Sequence, residues 1–152
     1  MRYMALIAAC VLLVSCGEQK PAPVPAVKKS AIQDESMRFP TKDLVDVKQI
    51  DEALMGKTFL GGGNLGHYKR GKTEFDLFLA KSTGAEAAAL VLFDYKKALA
   101  NAKFLPYFGG YFGKDGDREV FVFSKGPWIA GISGLPEKDA DALAREFASR
   151  IN

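Results

Sequence analysis

Cysteine and histidine are nearly absent from this chain, and their scarcity narrows the chemistry open to it. Both cysteines, Cys10 and Cys16, lie near the start of the sequence. The rest of the chain can form no disulfide, no catalytic thiol and no cysteine-based metal site. His67 is the only histidine, and no tight run of carboxylates surrounds it, so neither a metal nor a cofactor is expected. An excess of one charge is lacking too. There are 21 Lys and Arg against 18 Asp and Glu, a net of +3, and the pairs Lys28-Lys29, Lys69-Arg70 and Lys96-Lys97 are scattered. Nucleic-acid binding asks for a concentrated basic stripe within a recognisable module, so no nucleic-acid partner is expected. No apolar run reaches the roughly 20 residues of a membrane-spanning helix. What remains suits one globular domain with appendages, since 11 Phe and 5 Tyr are ample for a core.

The first residues carry one positive charge, Arg2, and then an unbroken apolar run from Ala5 to Val14. A charged start, a short apolar stretch and a small residue at its end make a secretory signal. A buried helix with an incidental cysteine is the alternative, but a core helix shows a polar face and this run has none. The stretch ends in Leu13-Val14-Ser15-Cys16 followed by Gly17, which resembles the lipobox of bacterial lipoproteins. The resemblance implies that Cys16 is lipidated and becomes the mature N-terminus, with membrane lipid as a partner. Two or more acyl chains anchor a protein stably. Gly17 carries no aspartate retention signal, so the resemblance implies the outer membrane, facing the periplasm. In a single-membrane host it implies the outer face of the cell membrane.

From Gly17 to about Thr41 the composition shifts. Pro21, Pro23 and Pro25 alternate with small residues, then Lys28-Lys29-Ser30 and Gln33-Asp34-Glu35-Ser36 follow. Prolines favour extended polyproline II, and the polar remainder has little apolar surface to pack. The expected organisation is a signal peptide over 1–15, a lipidated cysteine and tether over 16–41, and one domain over 42–152.

Within that domain, Val47, Ile50 and Leu54 share one face of an expected helix that Gly56 stops. Leu65 to Arg70 and Thr73 to Ala80 read as strands around Gly71-Lys72, the second alternating with period two. Thr83 and Glu86 have the spacing of a capping box. The helix they open is expected to run to about Ala102 with Ala88, Leu92, Tyr95 and Leu99 buried. Strands are expected over Tyr107 to Gly113, Arg118 to Lys125 and Trp128 to Ser133, turning at Asp115-Gly116 and Gly126-Pro127. A closing helix near Pro136 puts Leu143, Phe147 and Ile151 on one face. The sum is an α+β domain, a largely antiparallel sheet of about five strands with two or three helices.

The run from Phe75 through Ala87-Ala88-Ala89, Gly109-Gly110-Tyr111-Phe112-Gly113, Phe121-Val122-Phe123 and the final Ala-rich helix is similar to a family of secreted bacterial proteins known only as a domain of unknown function. The resemblance spans roughly residues 44 to 152 and implies a fold and a compartment, without an activity.

Several patterns imitate chemistry. Gly61-Gly62-Gly63-Asn64-Leu65-Gly66 satisfies G-x-G-x-x-G, and Gly66 to Thr73 satisfies the Walker A spacing. A phosphate loop needs a strand before it and a helix after it, whose amide end meets the anion. Here bulky His67 to Arg70 fill the loop and a strand follows, so glycines making a loop and a turn are the better reading and no nucleotide is expected. Asp115 to Glu119 mimics the start of an EF-hand loop, but Val120 stands where glycine is required and Gly126 where glutamate is. Ser124 and Ser133 lack the frame of a nucleophile elbow, so no catalytic residue is assigned.

The aromatic cluster Tyr107, Phe108, Tyr111, Phe112 and Trp128 is left. Large aromatics usually fill cores, yet alternation sends some to each sheet face, and uncovered rings would suit a partner. The preferred expectation is therefore a membrane-anchored, non-enzymatic binding module of the envelope. It would meet a small ligand or an envelope protein through Tyr107, Tyr111, Phe112, Trp128 and the Gly61–His67 loop. The alternative is a small hydrolase-like envelope enzyme using His67 with a carboxylate.

Overall fold

A computed structural model describes residues 31–152. Cys16, its signal and the Pro-rich stretch lie outside the described residues. Among the described residues seven strands form one sheet: β1 (Leu44–Ile50), β2 (Gly63–Arg70), β3 (Thr73–Lys81), β4 (Ala100–Leu105), β5 (Gly110–Asp115), β6 (Arg118–Lys125) and β7 (Trp128–Ser133). Helices α1 (Ala85–Ala98) and α2 (Glu137–Arg150) follow β3 and β7. The sheet order is β1-β2-β3-β7-β6-β5-β4, and every neighbouring pair is antiparallel. The domain is α+β, with seven strands and two helices where about five strands and two or three helices were expected.

The two extra strands arise where local pattern and tertiary pairing disagree. Val47, Ile50 and Leu54 share a face only if the chain is helical. As a strand, β1 sends Val47 to one side of the sheet and Ile50 to the other, because their spacing is odd. Its β-branched residues suit the pleat, and a left-handed kink at Ala53, Met55 and Gly56 ends the segment. The second miss is β4. Helix α1 stops at Ala98, not near Ala102, and the chain reverses to pair with β5 through a bulge that includes Asn101 at φ 55°. The expected capping box is not formed either: Gly84 caps α1, and no side chain bonds to the free amides. Residues 107–109 form a turn before β5, with Gly109 at φ 71°.

The sheet separates two cores. On one side Tyr68, Phe75, Leu77, Leu79, Phe121, Phe123 and Ile132 meet Ala140, Leu143, Ala144 and Phe147 of α2. On the other, Phe78, Val120, Val122 and Ile129 meet Ala88, Leu92, Tyr95 and Leu99 of the α1 segment. Strand β7 is buried along its whole length, as a central strand covered on both faces must be. The hairpins β2–β3, β5–β6 and β6–β7 close with two-residue loops whose first residue is Gly71, Gly116 or Gly126, each at positive φ. That matches the right-handed twist of the strands.

Residues 31–40, expected as part of the tether, pack along the domain as a strap. Phe39 and Pro40 are buried, and Phe39 lies 5.1 Å from Phe147 between ring centroids. Asn64, itself buried, clasps the strap with both ends of its amide. Its Nδ2 donates to the Gln33 carbonyl at 3.0 Å, and its Oδ1 accepts from the Glu35 amide at 3.2 Å. Two glycines of the glycine-rich stretch, Gly62 and Gly66, face this strap, while Gly63 lies against Leu79 and Leu54. A Cβ on Gly62 would strike Ile32, and one on Gly66 would lie 2.7 Å from Phe39. The strap therefore needs glycine beneath it.

Candidate functional site

The structure separates the residues that the sequence grouped as one binding surface. Trp128 is only 3% exposed and belongs to the α2-side core. Its Nε1 donates to the Asn152 carbonyl at 3.2 Å. Arg38 and Lys81 bring cations over the ring at 4.9 and 5.1 Å. Phe108, half-buried, packs edge-on against Phe121 and Phe123 at the border of that core. Tyr111 and Phe112 are half-buried and point to opposite faces, as alternation requires. Tyr107 is 57% exposed, in the turn, with Arg145 5.4 Å from its ring.

One edge of Trp128 lines a crevice of about 240 Å³ at the end of the sheet where the strap arrives. Ile32, Leu79 and Trp128 supply apolar wall; Glu35, Asn64 and Lys81 supply the polar groups. Gly62 and Gly63 complete the lining, and neither position has room for a Cβ. Glu35 is held by Arg38 at 2.6 Å, and Arg38 also donates to the Arg150 carbonyl. Lys81 has its Nζ over Trp128. Thus Trp128 and the start of the glycine stretch do come together, while Tyr107, Tyr111 and Phe112 lie toward the β4–β5 edge. Asn64 fell within the expected Gly61–His67 contact, whereas Glu35 and Lys81 were missed, because the strap beside them was read as tether.

His67 lies within β2, so the expected Gly61–His67 loop gives way to strand at Gly63. Its Nδ1–H donates to Asp76 Oδ1 at 2.8 Å, across the β2–β3 pair. Asp76 Oδ2 receives Arg118 Nη1 at 2.9 Å, and Arg118 Nη2 donates to the Ser133 carbonyl at 2.8 Å. This His–Asp–Arg line runs across the α1-side face of the sheet, with His67 38% exposed. The hairpin register around Gly71-Lys72 sets residue 67 opposite 76, so this partner was legible in principle. Among the described residues no three His, Cys, Asp or Glu side chains converge as metal ligands.

The fold is similar to that of a GTP-binding regulator from Thermotoga maritima. The TM-score is 0.54 at 16% identity, over 76% of this chain and 82% of that one. At that identity the likeness is one of fold alone. No family model and no curated protein matches the chain.

Proposed function

We propose that this protein is a bacterial envelope lipoprotein, held to the membrane through acylated Cys16, whose domain is a non-enzymatic binding module. The observation that carries the binding part is the crevice between the strap and the ends of β2, β3 and β7. It joins an apolar wall to a few placed polar groups, the usual make-up of a small-ligand site. Its volume, about 240 Å³, fits a single ring or a short peptide segment. The signal-like run ending at Cys16 supports the anchor, and the default outer-membrane location rests on Gly17.

Two measurements test the two parts separately. Labelled fatty acid is expected in the wild-type chain and absent after Cys16→Ala; label in neither, or in both, removes the anchor. Trp128 is the chain's only tryptophan, so its fluorescence reports on the crevice. Titration with cell-wall sugars and short peptides should shift its emission in the wild type but not in Lys81→Ala. If no probe shifts it, the crevice reading fails and the anchor stands.

The His67–Asp76 contact favours a second reading, a small hydrolase-like envelope enzyme. A carboxylate on Nδ1–H leaves the lone pair on Nε2 of a partly exposed ring, the position a base needs. Hydrolysis of a cell-wall or ester substrate that vanishes in His67→Asn, with folding intact, would select it.

A further inference from the structure

The two helices present opposite kinds of outer face. That of α2 is charged and internally paired, with Asp141 to Arg145 at 3.0 Å and Glu146 to Arg150 at 3.3 Å. Helix α1 buries Ala88, Leu92 and Tyr95. Directly opposite, Glu86, Leu90, Phe93 and Lys97 recur at spacings of four, three and four, one stripe of an α-helix. Leu90 is 68% exposed and Phe93 48%, with small Ala85 and Ala89 beside them. Large apolar residues aligned on an exposed helix face mark a contact surface.

We propose that this stripe binds a second copy of the same chain, with the two α1 helices antiparallel about a two-fold axis. The order of the stripe is self-complementary. A crossing centred between Val91 and Leu92 sets Leu90 against the partner's Phe93 and Glu86 against the partner's Lys97. The same two contacts then repeat on the other side of the axis, as an isologous interface requires. The surface has a receiving shape as well: an open groove of about 540 Å³, lined by Thr83, Gly84, Ala85, Glu86, Ala87 and Leu90, flanks the N-terminal half of α1. That is where the partner's Phe93 and Lys97 would lie. Lys97, now over the Phe93 ring at 4.6 Å and bonded to Asp94 at 2.9 Å, would turn from its own helix to the partner's Glu86. A 14-residue helix is only about 21 Å long. Such a pair buries less than the roughly 1,600 Å² of a standard interface, so the dimer is weak. The inference is independent of the crevice and of the anchor.

The test is the sedimented mass of the full-length chain in detergent, followed up to about 1 mM, together with carbodiimide coupling of touching carboxylate and amine. The wild type should pass from monomer to dimer, with a Glu86–Lys97 crosslink between chains. Phe93→Asp should stay monomeric. Glu86→Lys and Lys97→Glu should each weaken dimerisation about tenfold, a typical charge-pair effect, and the double exchange should restore it. These side chains are exposed, so a cooperative unfolding transition confirms that the variants fold, lowered slightly where Glu86 and Lys97 leave the helix ends that favour their charge. A chain monomeric throughout overturns the inference, as does a dimer that Phe93→Asp leaves intact. A monomer whose Phe93→Asp variant loses binding to anionic phospholipid vesicles overturns it too, and makes the stripe a membrane contact.

Discussion

Gly66→Ala should destabilise the domain because of one ring that the sequence places in a tether. The added methyl carbon would lie 2.7 Å from Phe39 Cδ1 and 3.0 Å from both Phe39 Cε1 and Tyr68 Cε2. Carbon atoms prefer about 3.5–4.0 Å, so the closest contact is short by nearly 1 Å. Neither ring has room to retreat. Phe39 is wedged against Phe147, and Tyr68 stacks on Phe75 at 5.2 Å while its hydroxyl donates to the Pro40 carbonyl at 2.8 Å. Overpacking of this kind costs about 1–3 kcal/mol, partly offset by up to ~1 kcal/mol because alanine loses less backbone entropy than glycine. Phe39→Ala by itself should cost about 3–5 kcal/mol. The double variant should be no less stable than Phe39→Ala, because the methyl then occupies space the ring has left. That is a coupling of about 1 kcal/mol or more between residues far apart in sequence. Urea denaturation of the four proteins, read by far-ultraviolet circular dichroism, supplies the cycle. Additive losses, or a Phe39→Ala loss under about 1 kcal/mol, would refute the strap as part of the core and with it the account of Gly66.

Other perturbations separate core from surface. Trp128→Ala should cost about 3–5 kcal/mol and Tyr107→Ala no more than about 0.5 kcal/mol by thermal unfolding; equal losses would contradict their burial. Among the described residues the buried hydroxyl of Tyr95 makes no hydrogen bond of good geometry, and Asp115, the carboxylate that acts on it, is bonded to Lys57 at 2.7 Å. Tyr95→Phe should therefore leave stability unchanged or raise it by up to about 1 kcal/mol, and a loss would show that Asp115 holds the hydroxyl. Burial pushes the Tyr68 and Tyr95 phenols well above their ordinary value, with Asp115 adding to the effect on Tyr95. Their contribution is full below the unfolded value near 10 and is lost as pH rises past it, because only the unfolded chain then releases these protons. Unfolding titrations above about pH 10 should show stability falling with pH, less steeply in Tyr95→Phe. Asp76→Asn removes the charge that His67 and Arg118 share and should cost about 1–3 kcal/mol; with Asp76 partly exposed, solvent screening favours the low end.

Periodicity and turn chemistry alone sufficed for much of this protein. Gly71, Gly116 and Gly126 reverse the strands because glycine reaches positive φ without strain. The alternation in β3, the unbroken apolar β6 and the stripes buried by α1 and α2 are local signals of period two or 3.6. Each is read within a single segment. The signal-like run ending at Cys16 is equally a matter of order along the chain. Tertiary structure decided what depends on partners distant in sequence. Val47, Ile50 and Leu54 fit a helix until β2 offers β1 a ladder, and Ala100 to Leu105 becomes a strand because β5 lies beside it. Trp128 became core because α2 and the strap cover it, and the strap is held by Asn64 and by the space above Gly62 and Gly66. The crevice and the reach of Arg118 on β6 to Asp76 on β3 follow from sheet order and layering. Those are set when the whole sheet assembles, so no single segment carries them.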